Sequence, residues 1–286
     1  MRRRSVLLVA LGAFVLLGAA PPQAAPRRIV SLNMCADQLL VALADRGQIA
    51  GLTEWARDPE LSAVAVTARS LPFTHRSVEE VLALRPDLVV DAPPRLKQAL
   101  AAHAGYQVGT VDLPFSTGLA DIERSVTTLA AAIGHPERGT RLIAQMRRDL
   151  AAIGAPPGRG RVAAYYQREG YLTGTGTLVD EMLHRVGLRN LAGRLGRPAL
   201  SKLSLEEMAL ARPDFLVLEA STQPVTDRGT AALTHPVLDA AVPPARRLYI
   251  PQAMTVCGGP AYPRGVALLA AQIRAIDHRD RPRNRP

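Results

Sequence analysis

The stretch Ser77–Asp91, SVEEVLALRPDLVVD, returns without a gap as Ser204–Leu218, SLEEMALARPDFLVL. The offset is constant (77 to 204, 86 to 213), and Ser, both Glu, Arg, Pro, Asp and one Val are identical between the copies. Most other positions keep an apolar residue. A single copy is a common helix–turn–strand. The spacing between the copies is far larger than the roughly 20–50 residues of a solenoid unit. Two copies so far apart imply a chain built as two similar α/β lobes, and two lobes create a cleft.

Each copy carries its own punctuation. Ser77 reads as a helix N-cap, and Glu80, three residues on, completes a capping box. The helix must stop before Pro86, which lacks an N–H and disfavours a helical Arg85. Asp87 then turns the chain into the apolar strand 88–90. Strand-like runs at 28–32, 48–53, 107–111, 161–166, 215–219 and 247–250 alternate with helical patterns. Near-continuous apolar strands between helices imply a parallel sheet covered on both faces. The fold class is α/β: two Rossmann-like lobes joined by a long helical connector, with a ligand cleft between them. The expected boundaries are a signal peptide at 1–25, an N-terminal lobe at 26–117, a helical connector at 118–157, a C-terminal lobe at 158–278 and a disordered tail at 279–286. Two helical stretches, 119–133 and 136–153, fill the connector, which predicts lobes that rock little.

The first 25 residues stand apart from the fold. MRRR is a positively charged n-region, Val6–Leu17 an apolar h-region, and small residues follow to Ala25. This is the pattern of a secretory signal, and its apolar run is shorter than the ~20 residues a membrane span needs. The mature chain is therefore expected outside the cytoplasm, in an oxidising compartment. The formal net charge is +10 over 286 residues, almost all of it from arginine, since Lys97 and Lys202 are the only lysines. The basic residues are scattered and aromatic content is 4%, so no stacking platform for nucleic acid is present.

Candidate site residues lie in loops after the strands, the edge where open α/β sheets bind ligands. Cys35 and Cys257 both fall there. They can form a disulfide, present two thiols to a metal centre, act as a nucleophile or be inert. Trp55, Phe73, Tyr171 and Tyr262 fall in inter-element loops rather than on core faces. A sole Trp directly after a strand points to a ligand. Arg57, Arg69, His75 and Arg168 share these loops and favour an anionic ligand. The Cys257-Gly258-Gly259-Pro260 turn permits close backbone approach. The six histidines form no HxH or HExxH pair, so no dedicated metal site is expected. No phosphate-binding glycine motif is in place, and Thr173–Thr177 reads as a loop. Glu79 and Glu206 are not needed for the capping boxes. Exposed at matching positions on two lobes, they can form a symmetric pair of anionic contacts for a partner.

These residues carry a resemblance. RIVSLNMCADQLLVALAD at the start of the mature chain, together with the two copies of the repeat, resembles the periplasmic substrate-binding proteins of ABC importers for cobalamin, ferric siderophores and haem. The likeness runs from about Arg27 to Ile276. It implies two α/β lobes joined by a long helix, no enzymatic activity, no cofactor, and a metal chelate held between the lobes by a monomer. It also implies that Glu79 and Glu206 dock on arginines of the membrane permease, whose partner ATPase drives import. Trp55, Phe73 and Tyr171 match cleft aromatics of the cobalamin-binding member, whose other cleft tryptophans map near Ala92, Leu200 and Cys257. That leaves a smaller or more anionic iron chelate open as the ligand. With Cys35, Cys257, Arg57 and Tyr262, these form the expected ligand site. The rival readings are a periplasmic cleft enzyme and a Cys-dependent metallochaperone.

Overall fold

The structure, a computed structural model, describes residues 25–102, 108–219 and 229–281. Nearly all of the leader, the start of the strand expected at 107–111, and residues 282–286 of the expected tail lie outside the described residues.

The first lobe is a five-stranded parallel sheet of β1 (Ile29–Ser31), β2 (Ile49–Thr53), β3 (Phe73–Thr74), β4 (Leu88–Val90) and β5 (Gly109–Val111). Its spatial order is β3-β2-β1-β4-β5. The chain starts in the middle, steps outward through β2 and β3, then crosses to β4 and β5 on the other side. Ile29 pairs with Ile49 on one side and Leu88 on the other. Helices α1 (Met34–Leu43), α2 (Ala65–Ala68), α3 (Val78–Ala83) and α4 (Pro94–Ala102) pack around it. The central strands are buried on both faces, as their unbroken apolar character requires. Leu39, Leu40 and Leu43 recur on one face of α1 and are all buried.

Two helices connect the lobes: α5 (Leu119–Ala132) and α6 (Pro136–Ala152). Gly134 turns the chain between them at φ +82°, a left-handed conformation in which glycine carries no Cβ penalty. The helices cross closely at Gly139, where an added Cβ would lie 2.7 Å from that of Ala130. Ile122, Val126 and Leu129 of α5 share one apolar core with α1 and with residues of the second lobe.

The second lobe holds β6 (Val162–Tyr165), β7 (Tyr171–Thr173), β8 (Arg189–Asn190), β9 (Leu200–Lys202), β10 (Phe215–Glu219) and β11 (Arg247–Ile250). Four of these form a parallel sheet in the order β11-β10-β6-β8, while β7 and β9 pair as an antiparallel ribbon. Its helices are α7 (Leu178–Arg185), α8 (Leu191–Arg194), α9 (Leu205–Ala211), α10 (Pro236–Ala241) and α11 (Tyr262–Arg279). The last helix runs to Arg279, beyond the Ile276 expected from the pattern and into the segment expected to be a disordered tail. Strands β3 and β8 and the β7–β9 ribbon are two or three residues long, too short to show a period of two in sequence.

The repeat is present in three dimensions: α3 corresponds to α9 and β4 to β10. In both copies the arginine before proline is left-handed, Arg85 at φ 45° and Arg212 at φ 41°. Each closes its helix with a backbone bond, to Leu82 O and Met208 O respectively, and the following proline prevents continuation. The caps differ. Ser204 and Glu207 form the complete capping box. Ser77 accepts from Glu80 N, but the Glu80 carboxylate turns away to accept from the Thr74 hydroxyl (2.6 Å) and His75 N (2.7 Å). The Thr74 hydroxyl, followed by His75, pulls the Glu80 carboxyl down to about 2. The expected box is thus half-made in the first copy, because Glu80 ties α3 to the edge strand instead.

Candidate functional site

A doubly wound sheet binds ligands where neighbouring strands lead away in opposite directions. In the first lobe that point lies between β1 and β4, whose carboxyl ends deliver Asn33 and Asp91. In the second it lies between β6 and β10, which deliver Tyr165, Gln167 and Glu219. A cavity of about 150 Å³ opens at the first point, against Asn33, Asp91, Ser116 and Ser125. One of about 160 Å³ opens at the second, against Tyr165, Gln167, Thr173 and Glu219. Phe115, Ser116 and Val256 line both, so the two openings are halves of one cleft. A larger cavity of about 1040 Å³ lies at the other edge of the first sheet, against Asp87 and Gly109 at the amino ends of β4 and β5. The topology places the site at the smaller pair.

The second-lobe wall is a hydrogen-bonded chain. Glu219 Oε1 accepts from the Tyr165 hydroxyl (3.2 Å) and from Gln167 Nε2 (2.9 Å), and Gln167 Oε1 accepts from Thr173 Oγ1. The Tyr165 hydroxyl also meets Thr255 Oγ1 at 3.2 Å. Burial, and then the Glu219 charge, push the Tyr165 hydroxyl well above its usual range, so it stays a donor. In the first-lobe wall, Asp91 is left-handed at φ 54° and accepts from Leu113 N (2.7 Å). Burial raises its carboxyl above the ordinary value. Ser125, on α5, is 2% exposed and lines the first cavity, and its hydroxyl has no partner among the described residues.

Of the aromatics expected from sequence, Trp55, Phe73 and Tyr171 line neither half of the cleft. Trp55 lies two residues past the end of β2 and is half-buried. One face of its ring is covered by the Arg76 guanidinium, 3.6 Å from the centroid, and Arg76 also pairs with Glu54. Phe73 is exposed on the edge strand under the Arg57 guanidinium at 3.9 Å. Arg57 in turn donates to Leu71 O. Of the residues expected to await an anion, Arg57 is committed to the Phe73 ring and the Leu71 carbonyl and His75 pairs with Glu80, and no basic residue lines either half of the cleft among the described residues. Tyr171 is half-buried on β7, two residues from Thr173, with Lys202 Nζ 5.0 Å from its ring centroid.

Three of the expectations are decided by the structure. Tyr262 is no loop residue: it opens α11, is fully buried, and its hydroxyl accepts from Arg185 Nε (3.0 Å). Cys35 and Cys257 are joined as a disulfide with Cα atoms 5.1 Å apart. Bonded sulfurs offer no thiolate, which removes the nucleophile, thiol–metal and Cys-dependent metallochaperone readings. Cys35 lines the first cavity as part of this bridge, while Cys257 is buried. The Gly258 turn makes its close approach to the protein itself, since an added Cβ would lie 2.4 Å from Ser116 Cβ.

Phe115 was not singled out in the sequence. It is 84% exposed and stands between the two halves of the cleft. A large apolar ring held in water at that point is the one signal available, and it is visible only once the segment after β5 is placed. Glu79 and Glu206 are exposed, at matching positions in the first turns of α3 and α9.

The profile of the periplasmic binding protein family matches residues 29–238. The chain belongs to this family. The periplasmic binding protein fold recurs in solved structures of low identity. The periplasmic heme-binding protein RhuT from Roseiflexus sp. RS-1 shares 24% identity at a TM-score of 0.67, covering 87% of this chain and 98% of that one. The periplasmic vitamin B12 binding protein BtuF of Vibrio cholerae shares 17% at 0.64, covering 88% and 98%. A periplasmic binding protein from Veillonella parvula shares 16% at 0.70, covering 88% and 93%. In sequence, a cobalamin-binding protein of Halobacterium salinarum is 27% identical over 219 residues, 74% of this chain. The chain spans 58% of the length of that relative. The family and these relatives are binding proteins.

Proposed function

We propose that this periplasmic binding protein is the substrate-binding component of an ABC importer. It captures a metal chelate (a ferric siderophore, haem or a corrinoid) in the cleft and delivers it to the membrane permease. The observation that carries this reading is the meeting of the two switch points at Phe115, Ser116 and Val256. Each lobe brings its ligand-binding edge to the same opening, as a two-jawed receptor requires. The named ligands of relatives with this fold support the chelate class.

Within that reading Phe115 supplies an apolar surface for the ligand, and Trp55, Phe73 and Tyr171 flank it at the rim. Glu79 and Glu206 form the two-point dock for the permease. The mature chain works in the periplasm as a monomer, and the disulfide suits that oxidising compartment. ATP is hydrolysed by partner subunits. The test is equilibrium binding of the purified mature chain to cobalamin, haem and ferric siderophores. One-to-one capture with the chelate recovered unchanged supports the reading. Chemical conversion of the chelate, or no binding at all, defeats it.

A further inference from the structure

The two halves of the cleft share an electrostatic character that the rest of the chain lacks. The chain carries 35 basic and 25 acidic side chains, yet no arginine or lysine lines either half among the described residues. Each half instead presents one carboxylate at its switch point. Asp91 follows β4 directly, and Glu219 is the last residue of β10. Because β4 and β10 are the equivalent strands of the repeat, the two carboxylates face the opening from corresponding places in the two lobes. They differ by one position from strict equivalence.

The remaining polar groups at the opening are hydroxyls and amides. Glu219 is held by Tyr165 and Gln167, which leaves its orientation fixed without neutralising it with a cation. Asp91 keeps a left-handed backbone that aims it from the strand end, and its carboxylate accepts from Leu113 N. Ser125 adds a buried hydroxyl with no partner among the described residues, beside Asp91 in the same half. A buried polar atom without a partner is costly, and a ligand group at that point would satisfy it.

We propose that Asp91 and Glu219 are specificity-determining residues that restrict the cleft to cationic or uncharged chelates bearing peripheral amide, amine or hydroxyl donors, and exclude polyanionic ones. This rests on the chelate-binding reading above. The physical reason is the asymmetry of a desolvated site. A carboxylate facing a donor or a cation gains a charge-assisted hydrogen bond, whereas one facing a second carboxylate is left unpaired beside a like charge. Arg57 and Arg76 do not reverse this, because they lie on aromatic rings and bond to Leu71 O and Glu54.

The experiment titrates the mature chain with a charge-graded panel spanning three chelate types. Aquacobalamin and ferrioxamine B are the cations, cyanocobalamin and ferrichrome the uncharged members, and haemin and ferric enterobactin the anions. The tightest ligand is expected to be cationic or uncharged, with both anions at least about tenfold weaker. Glu219→Gln and Asp91→Asn keep the shape and most hydrogen bonds, and Asn tolerates the left-handed backbone at 91. In the double variant the margin between the favoured ligand and the anions should shrink by about tenfold. An anion as the tightest ligand, or a margin unchanged in the double variant, overturns the charge assignment and leaves the chelate-binding reading standing. Failure of every member of the panel to bind overturns both.

Discussion

Cys35 and Cys257 lie 222 residues apart in sequence and are bonded at the wall of the first cavity, which Cys35 lines. Cys35 sits in the first turn of α1, where Asn33 caps the helix by accepting from Cys35 N and Ala36 N. Cys257 precedes α11. The bridge therefore ties the first helix of one lobe to the last helix of the other, next to the shared wall made by Ser116 and Val256.

A crosslink closing so long a loop restricts the unfolded chain strongly. Replacing both cysteines with serine is expected to lower stability by about 2–4 kcal/mol. Denaturant unfolding of the oxidised protein and of the double variant checks this. Equal midpoints would mean that the bridge contributes nothing.

Phe115 lines both halves of the cleft, whereas Trp55 lines neither. Phe115→Ala removes a ring that is already exposed, so it should leave stability within about 0.5 kcal/mol. It should weaken chelate binding by about 1–3 kcal/mol if the ring is covered by ligand. Trp55→Ala should cost less affinity, because Arg76 already occupies one of its faces. Calorimetric titration of both variants decides the ranking. A larger loss at Trp55 than at Phe115 would move the ligand outward to the rim.

Asp37 gives a pH signature. It is fully buried and accepts from Thr53 N and Thr53 Oγ1, joining α1 to the end of β2. Burial outweighs these bonds and raises its carboxyl to about 6 from the ordinary 3.8. The folded state therefore holds this proton more tightly than the unfolded state. Its contribution is fully present below pH 3.8 and is lost as pH rises through 6. Relative to Asp37→Asn, the wild type should lose about 2–3 kcal/mol across that window. Parallel unfolding curves for the two proteins at pH 4 and pH 7 measure it. A constant difference would show that Asp37 does not titrate there.

The legible part of this chain was its periodic part. The repeat, the buried strands β4 and β10 and the capped helices α3 and α9 announce themselves through apolar runs, serine caps and prolines. Each is fixed by interactions within a few residues. The cleft is assembled from what those patterns do not encode. Tyr262 reads as a loop aromatic because Ala261-Tyr262-Pro263 begins with a proline-marked boundary, but Pro in the first turn of a helix is compatible with continuing it, and α11 buries the ring. Asp91 closes the first copy of the repeat and Glu219 lies one residue past the second, inside a strand-like run, and neither was singled out as a site residue. Their meaning depends on strand order, which places β4 beside β1 and β10 beside β6. Phe115 lies in the non-periodic crossing from β5 to α5, and only the tertiary arrangement leaves it exposed between two cavities.

The paired glutamates can be separated from the ligand site. Both are exposed on short capped helices, so Glu79→Ala with Glu206→Ala should leave folding and chelate affinity near wild type. Transport into cells or proteoliposomes carrying the matching permease should be abolished. Unimpaired transport by the double variant would remove these residues from the dock.

The central claim is that one chelate is held in one cleft. Trp55 is the sole tryptophan of the chain and one of the residues proposed to flank the ligand, so its fluorescence is a label-free probe of occupancy. Titrating the mature protein with the charge-graded chelate panel should give saturable quenching with a one-to-one endpoint for at least one member, abolished or right-shifted by Phe115→Ala. Flat titrations across the whole panel, confirmed by the absence of calorimetric heat, would contradict it.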